Sequence, residues 1–377
     1  MAANRDDPFG WRGASAGLLV AAMLAGCATQ PDLKPGQEQI PPDEAQTVEN
    51  IKALLSTQLE RQYGPQGEPF LRDTHPKSNG CLNLEFAVED DIPPEFKHGI
   101  FAEPRSYRGW LRFSNAAPEL TPDIDKDFRG LAIKLFEVEG ERLPVPGDEQ
   151  HTQDFLFIAF PGFFAGNPKD FFAFFDATFN GDEIDQAEYF IRRPRALRNT
   201  KQGRRTFGNP LDITWFSVAP FLIGPRNADG SGLAVKYKVE NCVPREDPIP
   251  EHPSYDYLRE AMERRLAEED HCLWFSMQKQ GDPREFPIED TLSIWDEDES
   301  PFIRVARITI PQQSFGSPAH REFCENLSFN PWHGLEAHRP IGGINRARRD
   351  EMKAISDLRL RQRGVERVEP TGYETFE

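Results

Sequence analysis

The sequence predicts an α+β fold built around an antiparallel β-barrel with flanking helices, and three observations predict it. Apolar and polar residues alternate at period two in two groups of segments. Helical spacing appears before, between and after those groups. No G-x-G-x-x-G follows any strand, which argues against a doubly wound dinucleotide fold.

The elements follow in order. Ile51, Leu54, Leu55 and Leu59 place one apolar stripe on a helix over Thr47 to Tyr63. From Cys81 the period changes, with Leu82, Leu84, Phe86 and Val88 alternating, and Trp110–Ser114, Leu131–Val138 and Phe155–Phe160 continue as strands. A phenylalanine-dense stretch, Phe163 to Phe179, precedes a helix around Gln186 to Leu197. Leu233–Val239, Cys272–Met277 and Ile303–Ile310 form the second group of strands, with helical spacing between them over Tyr255 to Glu269. Arg346 to Arg363 reads as a final basic helix.

Composition narrows the function classes. Lys plus Arg total 44 against 62 Asp plus Glu, a formal net charge of −18, so the basic footprint that nucleic acid requires is missing. The same balance argues against a helix that rests on anionic lipid by charge. With 38% hydrophobic residues and 29 Phe the chain can bury a core, and at 377 residues it can form one large barrel with extensions. The 33 Pro and 28 Gly break it into short, loop-linked pieces, which disfavours a helical bundle.

The N-terminus reads as an address. Arg5 and Arg12 precede an apolar run from Ala14 to Ala25, which ends in Leu24-Ala25-Gly26-Cys27. This resembles a bacterial lipobox, which implies a signal peptide over 1–26 and a lipidated Cys27 as membrane attachment. Ala28 after the cysteine points by analogy to the outer membrane, on the periplasmic side of the cell envelope. Residues 27–46, polar and rich in Pro and Gly, are expected to be a flexible tether, 47–363 the folded domain and 364–377 a disordered tail. Four cysteines remain, Cys81, Cys242, Cys272 and Cys324. Export would permit disulfides, but the spacing identifies no pair, and four buried thiols are the simpler expectation.

Three short segments carry chemistry only when taken together: Arg72-Asp73-Thr74-His75-Pro76, Arg112-Phe113-Ser114 and Asp127-Phe128-Arg129-Gly130. With Phe155-Leu156-Phe157-Ile158, Pro301-Phe302-Ile303-Arg304-Val305 and Phe329-Asn330-Pro331 ahead of the last helix, they resemble, in order, the motifs of the haem catalase superfamily. The resemblance spans Leu71 to Arg361 and is closest to small divergent bacterial members and allene oxide synthases, which share the Thr beside the early histidine. It implies a barrel of the catalase type, haem b as cofactor and a hydroperoxide as substrate. Family members commonly assemble as oligomers, so the resemblance also admits a homo-oligomer.

The resemblance assigns roles residue by residue. His75 matches the distal acid/base and Ser114 the hydroxyl that orients it. Arg72, Arg112 and Arg359 match the arginines that hold the haem propionates, and guanidinium forks suit carboxylates. Phe164 matches a ring packed on the porphyrin face. His151 falls in register with the distal asparagine, and Gln153 is the neighbouring alternative.

The last helix departs from the family. Its R-x-x-x-Y-x-x-x-x-x-x-R falls here on Arg348, Met352 and Arg359, so Met352 stands where the axial tyrosinate would be. At about 100° per residue the three side chains still share one helical face. A neutral thioether favours ferrous iron, which predicts weakened catalase turnover. The alternative expectation is a degenerate catalase fold that binds a ligand, or nothing, without turnover.

Two other patterns are set aside. Asp123, Asp125 and Asp127 lack the glycine and glutamate of a calcium loop and read as a solvated acidic turn. His333 and His338 flank Glu336 without H-E-x-x-H spacing, so no metal beyond haem iron is expected. No G-x-S-x-G supports a hydrolase.

Overall fold

A computed structural model describes residues 33–64, 70–145 and 148–376. Lys34 onward forms one body. Its elements are α1 (Glu44–Tyr63), β1 (Ser78–Val88), β2 (Ser106–Asn115), β3 (Arg129–Leu135) and β4 (Gln153–Ile158). Then come α2 (Pro168–Phe179), α3 (Glu183–Ile191), α4 (Pro194–Gly203), β5 (Trp215–Phe216), β6 (Phe221–Ile223) and β7 (Leu233–Asn241). The chain ends with α5 (Tyr257–Leu266), β8 (His271–Lys279), β9 (Phe302–Ile310), α6 (Pro318–Asn326) and α7 (Gly343–Arg363).

Eight of the strands close into an antiparallel barrel. The neighbours run β5-β4-β3-β2-β1-β9-β8-β7, and the β5–β7 pairing shuts the ring, while β6 extends β7. Closure leaves no free edge in the ring. Alternation decides which side chains enter: Leu111, Phe113, Leu131, Ile133, Phe155 and Phe275 fill the interior. Their neighbours Arg112, Ser114, Gly130, Ala132, Leu156 and Ile158 face outward, by the same period of two.

That outer face is covered by helices. Ile51, Leu55 and Leu59 of α1 pack with Phe175 of α2 and with Ala347, Ile355 and Leu358 of α7. The expected helix around 186–197 is two, because Pro194 ends one and opens the next, where its missing N–H is no loss.

Several expectations on chain ends and cysteines are corrected. Cys27 and the signal segment lie outside the described residues. From Lys34 the expected tether is bound to the domain: Gly36 N–H donates to Gln280, and Glu38 accepts from Gly342 N–H and pairs with Arg346. Arg346 is also held by Glu44 at 2.6 Å and Glu289 at 2.9 Å, which locks the entry to α1 onto α7. The tail is likewise docked, since Arg367 pairs with Asp148 at 3.2 Å and Asp357 at 2.7 Å, and the Phe376 ring stacks on His320. The cysteines are not free thiols. Cys81 is bonded to Cys324 and Cys242 to Cys272, with Cα separations of 6.0 and 5.4 Å that suit disulfides.

The acidic turn is solvated only in part, since Asp125 is exposed while Asp123 and Asp127 are buried. Asp123 is fully buried, 2.9 Å from Lys77 and accepting from Asn79, Asn115 and the Leu258 N–H. His333 is buried too, between Asp154 at 2.8 Å and Asp148 at 2.9 Å. Glu149, Asp154 and His333 have the closeness of a metal site, but the Lys134 ammonium already sits among them, 2.7 Å from Asp154.

Candidate functional site

A cavity of about 150 Å³ lies between the outer face of β2, β3 and β4 and the side of α7 and opens to solvent. Register builds its barrel wall. Across the three strands Ser114 pairs with Gly130 and Gly130 with Ile158, while Arg112 pairs with Ala132 and Ala132 with Leu156. The two rows therefore present one guanidinium, one hydroxyl and a flat apolar surface.

His75 enters over this wall from the loop before β1. Its backbone is left-handed, with φ of 60°, which is uncommon for a residue with a side chain. The turn is fastened by Arg112, whose Nη2 donates to the His75 carbonyl at 2.8 Å. The imidazole Nδ1 lies 3.0 Å from Ser114 Oγ, and the ring rests on Gly130, where a Cβ would stand 2.4 Å from Cε1. Only glycine leaves room for that ring. Burial, with the charges of Arg112, Arg348 and Arg72, lowers the His75 pKa to about 3, so the ring is neutral at ordinary pH. Val218, which also lines the cavity, is a second left-handed residue, with φ of 61°. Such strain at a β-branched residue is found where the fold over-determines a site.

The opposite wall is α7. Arg348, Glu351, Met352, Ile355 and Arg359 line the cavity, so the face predicted from spacing is the face presented. Arg348 lies over the Phe163 ring, 5.8 Å from its centroid, and donates to Asn345. Burial lowers the pKa of Arg348 to about 10 and that of Arg112 to about 9, and holds Arg359 well below the usual guanidinium value. Loss of solvent around each guanidinium is the main cause, and Glu351 beside Arg348 and Glu325 beside Arg112 and Arg359 offset it only in part.

The three arginines converge on the end of α6. Arg72 pairs with Glu325 at 2.6 Å and donates to the Leu327 carbonyl at 2.6 Å. Arg359 donates to the same carbonyl at 3.0 Å and to the carbonyl of Glu325. Positive side chains at a helix C-terminus satisfy its orphan carbonyls. Arg112 Nε is buried and has no partner among the described residues.

The cavity gathers Arg72, His75, Arg112, Ser114, Arg348, Met352 and Arg359, and leaves out two residues assigned from the resemblance. His151 precedes β4 in an exposed turn, tied by its backbone N–H to Glu369. Its alternative Gln153 is buried, but it serves the Leu335 N–H. Phe164 does not line the cavity; it packs 4.2 Å from Phe163 and 4.5 Å from Phe174, while Phe329 lines the cavity instead. Sequence reasoning missed Asp73, Glu351 and Glu325. Asp73 and Glu351 face the cavity, and burial raises both, Asp73 to about 6, with the Asp73 charge adding to the rise at Glu351. Their signal was position alone: Asp73 follows Arg72, Glu351 precedes Met352 and Glu325 follows Cys324.

No protein-family model and no curated protein sequence matches the chain. Solved structures do. It is similar to a fungal catalase with a TM-score of 0.60 at 16% identity, covering 80% of this chain and 62% of that one. A bacterial catalase gives 0.57 at 16%, covering 80% and 59%, and catalase A from Saccharomyces cerevisiae gives 0.61 at 16%, covering 88% and 68%. The chain thus spans about three-fifths of the first two catalases it matches. The fold is catalase-like.

Proposed function

We propose that the chain is a haem-binding protein that reacts with hydroperoxides, with turnover well below that of a tyrosinate-ligated catalase. The observation that carries this reading is the cavity itself, with His75 on one side, Met352 on the other and, at its edge, three arginines around a single carboxylate, Glu325. The donor set fits the group: two carboxylates would meet Arg72, Arg112 and Arg359, and the unpartnered Nε of Arg112 is a donor still to be satisfied. Apolar Ala132, Leu156, Ile158 and Ile355 suit the faces of a macrocycle, and Met352 carries the sulfur that would ligate iron.

Haem iron, when bound, supplies the redox centre for cleavage of an O–O bond. The chain's own residues handle the proton. Ser114 fixes the tautomer: if Nδ1 donates to Oγ, Nε2 is the acceptor that a base requires. Arg112, bonded to the His75 carbonyl, holds the loop so that the ring cannot turn away. A neutral imidazole can take the proton of a hydroperoxide and return it to the departing oxygen.

A second reading, a catalase-fold ligand binder without turnover, is favoured by the thioether and by the N–H groups that Arg72 and Arg359 already give to α6. Peroxide assays on haem-reconstituted protein separate the two. Under the first reading the wild type is slow and Met352→Tyr is faster by about tenfold or more, since an anionic ligand supports ferric iron. A Met352→Tyr protein as inert as the parent, at equal haem content, favours the second. We also propose attachment to the periplasmic side of the envelope through lipidated Cys27. Two disulfides support an oxidising compartment.

A further inference from the structure

We infer that Glu325 is a specificity-determining residue, a carboxylate built into the fold that competes with the acidic end of a ligand for Arg72, Arg112 and Arg359. The inference rests on the haem reading for the ligand, and on geometry for the residue. Glu325 does not line the cavity. It approaches the guanidiniums from α6, 2.6 Å from Arg72, 3.9 Å from Arg112 and 3.8 Å from Arg359. It is the one carboxylate within ion-pair reach of all three among the described residues.

Its place is fixed by covalent structure. Cys324, the residue before it, is bonded to Cys81, and Cys81 stands directly opposite Arg112 in the β1–β2 ladder. The disulfide therefore ties the carboxylate to the strand that carries one of its partners. The fixed backbone keeps the Glu325 side chain within reach of the cluster, where its carboxylate offsets part of the charge of three guanidiniums. The remaining excess suits two carboxylates on a ligand but holds them less tightly than a bare cluster would.

The experiment compares wild type, Glu325→Gln and, as a control for net charge, Glu322→Gln, an α6 residue paired with Arg363 outside this cluster. Two probes are used, haemin against haemin dimethyl ester by absorbance titration, and sodium sulfate by thermal midpoint of the haem-free protein. Glu325→Gln is expected to tighten haemin about tenfold, leave the dimethyl ester unmoved and make the midpoint rise with sulfate. Glu322→Gln is expected to behave as wild type in every arm. Unchanged or weaker haemin binding in Glu325→Gln, or an equal shift for the dimethyl ester, overturns the inference. If haemin binds no variant, the haem reading fails and sulfate alone decides: a response confined to Glu325→Gln upholds the competitor role, and no response overturns it. Should Glu325→Gln fail to fold, Glu325→Asp, whose shorter arm retreats from Arg72, is expected to show a partial sulfate response, and none overturns it.

Discussion

His75 Nδ1 lies 3.0 Å from Ser114 Oγ, and that contact, made across two separate elements, leaves Nε2 as the ring nitrogen for a ligand. With haem bound, Ser114→Ala is expected to slow reaction with peroxide about tenfold without changing haem affinity, because orientation is lost and volume is not. His75→Gln should slow it at least about a hundredfold, the usual span of a general base. The His75 pKa is lowered to about 3, and protonation removes the base, so the rate should stay flat from neutral pH down and fall only toward pH 3. Stopped-flow measurements at fixed haem content check all three. Asp73 faces the same cavity with a pKa of about 6, so the series is repeated in Asp73→Asn; a rate that still halves near pH 6.5 there would mean that the ring is not buried as described.

His333 governs stability on the alkaline side. Nearby Glu149, Asp154 and Asp148 carboxylates outweigh burial and raise its pKa to about 9, above the unfolded value of about 6.5. A raised histidine contributes fully below pH 6.5, and the contribution is lost as pH climbs through 9. The stability that wild type holds over His333→Gln should therefore fall between pH 6.5 and 9.5, by up to about 3 kcal/mol. It is read as the difference of their urea midpoints, so that other titrating groups such as Lys236 cancel. A difference that stays constant over that interval would contradict the ion network.

The disulfides make a graded prediction. Cys242–Cys272 closes 30 residues and Cys81–Cys324 closes 243. Loop-closure entropy then predicts a loss of about 3.6 kcal/mol for a Cys242→Ser, Cys272→Ser pair and a larger loss, about 5.5 kcal/mol, for Cys81→Ser, Cys324→Ser. Free-thiol titration of the denatured, unreduced protein should find neither pair reactive. Four reactive thiols would restore the simpler sequence expectation.

Removal of the residues after Arg363 tests the docked tail. Asp148 would lose Arg367, and Trp110 would lose the cover of Phe376 and the acceptor Glu374. A partly uncompensated buried carboxylate and an uncovered indole predict a loss of about 2 kcal/mol, read by chemical denaturation. A disordered tail would leave the midpoint where it was.

The barrel was legible because alternation reports which side chains face inward, and a strand such as Leu82–Val88 carries it cleanly, whereas in Ile303–Ile310 a register shift flips the phase and leaves Ile303 exposed. The α7 face was legible for the same reason, since Arg348, Met352 and Arg359 share a helical stripe. β5 and β6, at two and three residues, are too short to show a period. Cys81 and Cys324 give no local sign of one another across the chain, and the Lys134–Asp154–His333 network likewise joins distant segments. His151 was misplaced because an ungapped register cannot see that the chain turns before β4. Phe164 was misplaced because a phenylalanine in a Phe-rich stretch carries no label for the ring it touches.

The most direct test is the haem stoichiometry of purified protein, titrated with haemin and read at the Soret band, with Ala132→Trp as the variant that fills the cavity. The account predicts one haem per chain for the wild type, a band that shifts in Met352→Ala, and no specific binding to Ala132→Trp. Equal binding by wild type and Ala132→Trp, or none by either after reconstitution, would contradict it.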